Sequence, residues 1–122
     1  PRSTLFPYTT LFRSCLIPNS DNSVEITGDG TLMINVIGET YDGISTGADV
    51  KISDKARVII NSKGGLGIAG RMVEIDGATV DSTGLYAGID AHRLKIVNGA
   101  DVTLKATQDG QAIIPVCMLQ VI

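Results

Sequence analysis

The sequence predicts an all-β chain, coiled into a single parallel β-solenoid of about four coils of 21–26 residues, with three short strands in each coil. Short runs of alternating Val and Ile recur in four similar copies, each interrupted by Asp-Gly, Asn-Gly or other glycine-rich turns. The isoleucine of the third run recurs at steps of 24, 21 and 24 residues, and nowhere do apolar residues follow helical spacing over ten or more positions. A fixed period of this size is typical of stacked repeats.

The first strand of each copy places a charged residue between two apolar ones. Because successive side chains of a strand point to opposite faces, both apolar residues would point inward and the charged residue outward. Stacking the copies in register therefore predicts two inward columns. These columns are Val24, Val50, Val73 and Leu94, and Ile26, Ile52, Ile75 and Ile96.

The outward residues between these columns alternate in charge. They read Glu25, Lys51, Glu74 and Lys95 from the first copy to the fourth. Opposite charges on neighbouring strands contribute about 0.2 to 1 kcal/mol per pair. Four unrelated surface charges would give no reason for the alternation, so the order supports stacking in register.

The second and third strands supply two further inward columns. The sequence therefore predicts a narrow, continuous core, with neighbouring coils about 4.8 Å apart. These columns are Leu32, Val58, Val80 and Val102, and Ile44, Ile68, Ile89 and Ile113.

Residues Pro1 to Ser14 differ from the rest of the chain. They contain no Gly, Asp or Glu, and they hold both Phe residues. Thr4 to Ser14 match at every position one reading frame of a common sequencing adapter, and the upstream extension of that adapter encodes Pro1-Arg2-Ser3. We interpret residues 1–14 as an adapter-derived artefact of a metagenomic gene model, which leaves 15–122 as one domain.

Within that domain, we expect regular coils over about 24–113, preceded by the tail of an earlier coil in Cys15 to Ser23. Ile114 to Ile122 combines a proline with an apolar run that does not alternate, and it fits a docking strand, a cap, or a truncated or frameshifted end. Solenoids need polar caps, and neither end of this sequence supplies one. The sequence therefore predicts a fragment whose partners include neighbouring coils of a parent protein.

Composition argues against several classes of function. Without the first fourteen residues the formal charge is −5, with no basic stripe, which argues against nucleic-acid binding. No run reaches the roughly 18 apolar residues of a membrane span. Cys15 and Cys117 lie at opposite ends and fit neither a disulfide nor a metal motif, so we predict no metal and no cofactor.

A glycine-rich run, Gly65 to Gly70, matches the G-x-G-x-x-G pattern, and Asp90 follows it twenty residues later. A dinucleotide site requires a helix after the glycines, whereas the following residues alternate as a strand. The run also resembles a calcium-binding nonapeptide, but Ala69 stands where a carboxylate ligand is needed. We expect neither ligand.

Asp81, Asp90, His92 and Arg93 form the one local cluster that offers an acid, a base and a cation. Glycoside hydrolysis by inversion needs two carboxylates about 6.5 to 9.5 Å apart. A histidine at a solenoid corner is more often a solvated turn residue, so we predict no catalytic residue.

Tyr41 and Tyr86 occupy equivalent positions before the third strand of the first and third coils. Their rings could stack on sugars, which makes them the candidate ligand-binding residues. The alternative is that both rings pack over a loop.

Repeats of the form V-x-I-x-(D/N)-G-A-x-V…Y-x-G-I resemble those of large β-helical surface proteins from gut and anaerobic bacteria, of the carbohydrate-binding domain-containing type. The resemblance covers Val24 to Ile113. It implies right-handed coiling, an extracellular or cell-wall location, and a non-catalytic role in structure or glycan binding. The alternative is a fragment of a β-helical polysaccharide lyase or glycoside hydrolase whose catalytic coils lie outside this sequence.

Overall fold

The computed structural model describes residues 14–16, 22–38, 41–108 and 113–120. All regular structure in these ranges is β-strand, and every strand pairing is parallel. No helix long and apolar enough to cross a bilayer occurs in them. The strands are β1 (Ser14–Leu16), β2 (Val24–Ile26), β3 (Thr31–Val36), β4 (Asp42–Ser45), β5 (Asp49–Ser53), β6 (Arg57–Ser62), β7 (Leu66–Asp76), β8 (Thr79–Gly84), β9 (Ala87–Val97), β10 (Asp101–Ala106) and β11 (Ile113–Gln120).

The strands form two sheets that enclose one core. The second strands of the coils make a four-stranded sheet in the order β10-β8-β6-β3, and the first and third strands make a seven-stranded sheet. The chain passes from one sheet to the other and back in each coil. Each strand pairs with its equivalents in the neighbouring coils, and the predicted parallel β-solenoid is confirmed.

The predicted register of the first strand is also confirmed. Val50 pairs with Val24 on one side and with Val73 on the other, and Val73 pairs with Leu94. These four side chains are at most 1% exposed. Since burial of a Val or Leu side chain contributes about 1.5–3 kcal/mol, such columns are the main source of stability.

The charge ladder forms in the predicted order, because Lys51 pairs with Glu25 and Glu74, and Glu74 pairs with Lys95. The Nζ atom of Lys51 lies 3.9 Å from Oε2 of Glu74. Because the lysine side chain is 46% exposed, we expect this ion pair to contribute little. The ladder supports the register more than it stabilises the fold.

The predicted columns are fully buried at Val58 and Val80 of the second strand and at Ile44, Ile68 and Ile89 of the third. Leu32 and Val102 are partly buried against the core, and the side chain of Ile113 lies outside the described residues.

The second strand also contributes more than the sequence suggested. Ile34 and Ile60 add a second inward column, which continues into the fully buried Ser82. The Ser82 hydroxyl donates a hydrogen bond to the carbonyl oxygen of Gly88 at 2.8 Å. Because this bond satisfies the hydroxyl, a serine is tolerated in the core. The hydrophobic pattern of the sequence did not predict that Ser82 would be buried.

The later coils, from the second to the fourth, do not consist of three separate short strands as predicted. β7 and β9 each run through eleven residues and join the third strand of one coil to the first strand of the next. Val50 follows Ile44 by six positions, but Val73 follows Ile68 by only five. The extra residue forms a turn between β4 and β5, in which the Ala48 amide donates to Oγ1 of Thr46 at 3.0 Å.

Both ends of the described chain continue the stack. β1 pairs with β4, as expected for the tail of an earlier coil. β11 pairs with β9 from Ile113 opposite Ile89 to Gln120 opposite Ile96, so the segment that the sequence left open forms a strand here. The adapter interpretation of Pro1 to Ser14 falls, except for Ser14, outside the described residues.

Candidate functional site

Exposed apolar side chains gather at the corner between the second and third strands. We call this the aromatic corner; it comprises residues 37, 38 and 41 of the first coil, 63–65 of the second and 85–86 of the third. Ile37, Tyr41 and Tyr86 are 83%, 38% and 52% exposed. Within 22–38 and 41–108, where side-chain burial is described, Met33 on the four-stranded sheet is the one other large apolar side chain exposed to this degree. Such a gathering is typical of an interaction site.

The register places the two tyrosines in one column. Tyr41 and Tyr86 each lie three residues before an isoleucine of the third-strand column, Ile44 and Ile89, and Gly65 lies three before Ile68. Two coil steps separate the tyrosines, a distance of about 9.6 Å at the usual strand spacing. The position between them carries no side chain.

Close packing explains why Gly65 lies between the tyrosines. A Cβ atom at this position would lie 2.5 Å from the Tyr41 carbonyl oxygen and 2.6 Å from Oδ1 of Asp42. The same carbonyl accepts a hydrogen bond from Oγ of Ser62 at 2.6 Å, and Oδ1 of Asp42 accepts one from the Leu66 amide at 2.8 Å. The second coil therefore holds the backbone of Tyr41 in place.

The two rings differ in their surroundings. The Tyr41 ring packs on its own loop, since a Cβ atom on Gly38 would lie 2.7 Å from Cε2 of the ring. Tyr86 is more exposed and sits on a short turn, whose Leu85 amide donates to the Gly65 carbonyl oxygen at 2.7 Å. Tyr86 is thus the ring with more surface for a ligand, while Tyr41 partly fits the alternative of packing over a loop.

The structure does not bring the four candidate catalytic residues together. Asp81 lies on β8 of the four-stranded sheet and is exposed between the buried Val80 and Ser82. Asp90, His92 and Arg93 lie on β9 of the other sheet. Because the inward residues of both sheets share one core, the outward faces point to opposite sides of it. Asp81 is therefore separated from the other three.

A different group of residues assembles where β7 and β9 turn from the third to the first strand. An open cleft of about 380 Å³ is lined by Arg71, Met72, His92 and Arg93, and we call these four residues the basic corner. The sequence prediction missed Arg71, which precedes His92 by 21 residues. That separation is one coil step, so the repeat period would have revealed the neighbour.

Packing within the solenoid explains the glycine-rich run Gly65 to Gly70. Gly65 lies in the aromatic corner, and Leu66 to Gly70 begin β7, so a strand follows where a dinucleotide site needs a helix. A Cβ atom on Gly67 would overlap Oγ of Ser82 and lie 2.5 Å from the Gly88 carbonyl oxygen. Close approach of the two sheets explains this glycine.

A groove at the corner between the first and second strands, about 740 Å³ in volume, includes Asp29, Asp54 and Asp76 in its lining. Two of these carboxylates form hydrogen bonds with residues of neighbouring turns. Oδ2 of Asp54 accepts a hydrogen bond from the Gly28 amide at 3.3 Å, and Oδ1 of Asp76 accepts one from Nδ2 of Asn98 at 2.6 Å. Throughout the described part of the chain, no group of three or more His, Cys, Asp or Glu residues is placed to hold a metal ion.

Comparisons with protein-family models, with curated proteins and with solved structures found no match to this chain. A solenoid fold by itself does not establish a function. The two corners are therefore the features of the molecule that bear on its function.

Proposed function

We propose that this chain is a non-catalytic β-solenoid module of a bacterial surface or secreted protein, and that it binds glycan through the aromatic corner. One observation carries the proposal. Tyr41 and Tyr86 are exposed in a single column, and Gly65 lies between them.

The chemistry of tyrosine suits sugars. The face of the ring packs against the apolar C–H surface of a pyranose, while the phenol hydroxyl bonds to sugar hydroxyls. Two rings two coil steps apart would contact different sugars of one chain. The buried third-strand column keeps the two positions at a constant separation, so little conformational freedom is lost on binding.

The surface or wall location follows from the resemblance of the repeats and belongs to the proposal. The alternative, a fragment of a polysaccharide lyase or glycoside hydrolase, would require catalytic residues in coils beyond this chain. Release of sugar products from a polysaccharide by the complete parent protein would favour the enzyme. Binding without release of sugar would favour the module.

The test is a glycan array with the 122-residue chain, followed by calorimetric titration of the glycans retained. We expect Tyr86→Ala to weaken binding about two- to twelve-fold, which corresponds to about 0.5–1.5 kcal/mol for an aromatic contact. Tyr41→Ala should have a smaller effect, because its ring is partly covered by Gly38.

Met33→Ala is the matched control, since Met33 is 57% exposed and lies on the other sheet. It should leave glycan affinity unchanged. If Tyr86→Ala binds glycan as tightly as the unmodified chain, the aromatic corner is not the binding site.

A further inference from the structure

The basic corner concentrates positive charge on a chain whose formal net charge is −3. Two of the four residues lining its cleft are arginines, Arg71 and Arg93, and a third is His92. Among the described residues that line this cleft there is no carboxylate, which distinguishes it from the groove at the corner between the first and second strands.

Backbone geometry explains why the corner presents two adjacent side chains. Inward and outward residues alternate along a straight strand, yet both His92 and Arg93 are exposed, between the buried Ala91 and Leu94. The strand therefore bends at this point. Because Arg93 pairs with Met72 of the preceding coil, Arg71 of that coil lies beside His92.

Among the described residues, one of the two arginines is paired with an acid, and the other is not. Asp49 contacts Arg71, with its Oδ1 atom 2.9 Å from Nη2, and orients that guanidinium. Within the described part of the chain, His92 and Arg93 form no ion pair. Asp90 lies on β9, two residues before His92. Its side chain points outward from the part of the sheet that the third strands form.

We infer that the basic corner binds the carboxylate or sulfate group of an acidic glycan whose other sugars lie against the aromatic corner. An arginine side chain can donate two parallel hydrogen bonds to such a group. This inference rests on the proposed function, and it adds the class of glycan.

The surface between the two corners is shaped to carry a sugar chain. Tyr86 and His92 are six residues apart along the chain, a distance of roughly 20 Å at strand rise, which an oligosaccharide can span. The outward residues between the corners are small, namely Ser45, Ala69 and Asp90 in successive coils. A glycan lying along these three positions would meet no bulky side chain among them, and the one charge it would meet there is that of Asp90.

The test compares three tetrasaccharide probes by calorimetry with the 122-residue chain: an oligogalacturonate, its neutral methyl ester, and a sulfated galactan. We expect the chain to bind at least one acidic probe about ten-fold more tightly than the neutral ester, with the preference decreasing at higher salt. The acidic probe that binds more tightly identifies carboxylate or sulfate as the preferred group.

Arg93→Gln should remove most of this preference while leaving the affinity for the neutral ester unchanged, and Arg71→Gln should reduce it as well. Arg57→Gln is the matched control, because Arg57 is an exposed arginine on the other sheet. Asp90→Asn should act in the opposite direction and strengthen binding of the acidic probe, since it removes a nearby negative charge.

The outcomes separate the two proposals. If acidic and neutral probes bind equally, or if Arg57→Gln weakens acidic binding as much as Arg93→Gln, the basic corner is not an anion site. Glycan binding through the aromatic corner stands in that case if Tyr86→Ala weakens binding of the probes. If Tyr86→Ala has no effect on any probe while Arg93→Gln does, the aromatic corner is wrong and the anion site stands. If none of the probes binds and the array is blank, both proposals fail.

Discussion

The third-strand column and the aromatic corner lie within a few residues of each other in each of the first three coils, yet the column keeps one residue type and the corner does not. The column has isoleucine in all four coils, and Ile44, Ile68 and Ile89 are fully buried. Three residues earlier, successive coils carry Tyr41, Gly65 and Tyr86. Stacking determines the residue type in the column, whereas the corner varies from coil to coil. Residues that differ among otherwise equivalent positions are therefore where this solenoid can carry a specific function.

The largest effect should come from the core. Ile75 is fully buried in the middle of its column, so Ile75→Ala should lower the free energy of unfolding by about 2–5 kcal/mol. Urea unfolding followed by circular dichroism measures this change. Tyr86→Ala, at an exposed corner position, should change the same quantity by less than about 0.5 kcal/mol. Equal losses for the two variants would remove the distinction between column and corner.

An intermediate effect is expected at the glycines of the third strand. Gly67→Ala would force a methyl group against Ser82 and the Gly88 backbone, at a cost of about 1–3 kcal/mol. Gly30→Ala is the control, because no atom outside its own neighbourhood lies within 4 Å of a Cβ there. Equal urea midpoints for the two variants would show that the sheets are not in close contact at Gly67.

The smallest effect should come from the charge ladder. Glu74→Lys would stack like charges between Lys51 and Lys95 and cost less than about 1 kcal/mol at low salt. Glu25→Lys should cost less, since within the described residues its one charged neighbour in the ladder is Lys51. Both losses should shrink at 1 M salt, where charges are screened within about 3 Å. A loss at Glu74 that is independent of salt would contradict the electrostatic interpretation of the ladder.

The sequence predicted the parts of the fold that repeat. Alternating Val and Ile, and the order of charges from Glu25 to Lys95, were sufficient to assign the register that the strand pairings confirm. The buried Ser82 escaped prediction, because its place in the core depends on one hydrogen bond to Gly88. The third strand of the second coil and the first strand of the third coil join to form β7 because the corner between them is one residue shorter. The pattern of alternating apolar residues does not reveal that difference.

The candidate sites were harder to predict than the fold. Tyr41 and Tyr86 could be placed in one column from the repeat alone, but the partial covering of the Tyr41 ring depends on its contact with Gly38, which the repeat does not reveal. Proximity in sequence suggested grouping Asp81 with Asp90, which the structure places on opposite sheets. Arg71 was missed for the converse reason, because its neighbour His92 lies one full coil further along the chain.

One measurement tests the central claim that an invariant core presents a functional aromatic corner. The chain and its Tyr41→Ala/Tyr86→Ala variant are each titrated with the glycan that binds most tightly on the array, and the urea midpoint of each sample is recorded. We predict that the variant loses most of its affinity, ten-fold or more from two aromatic contacts, while the midpoint changes little. Unchanged affinity, or a loss of affinity accompanied by unfolding, would contradict the account.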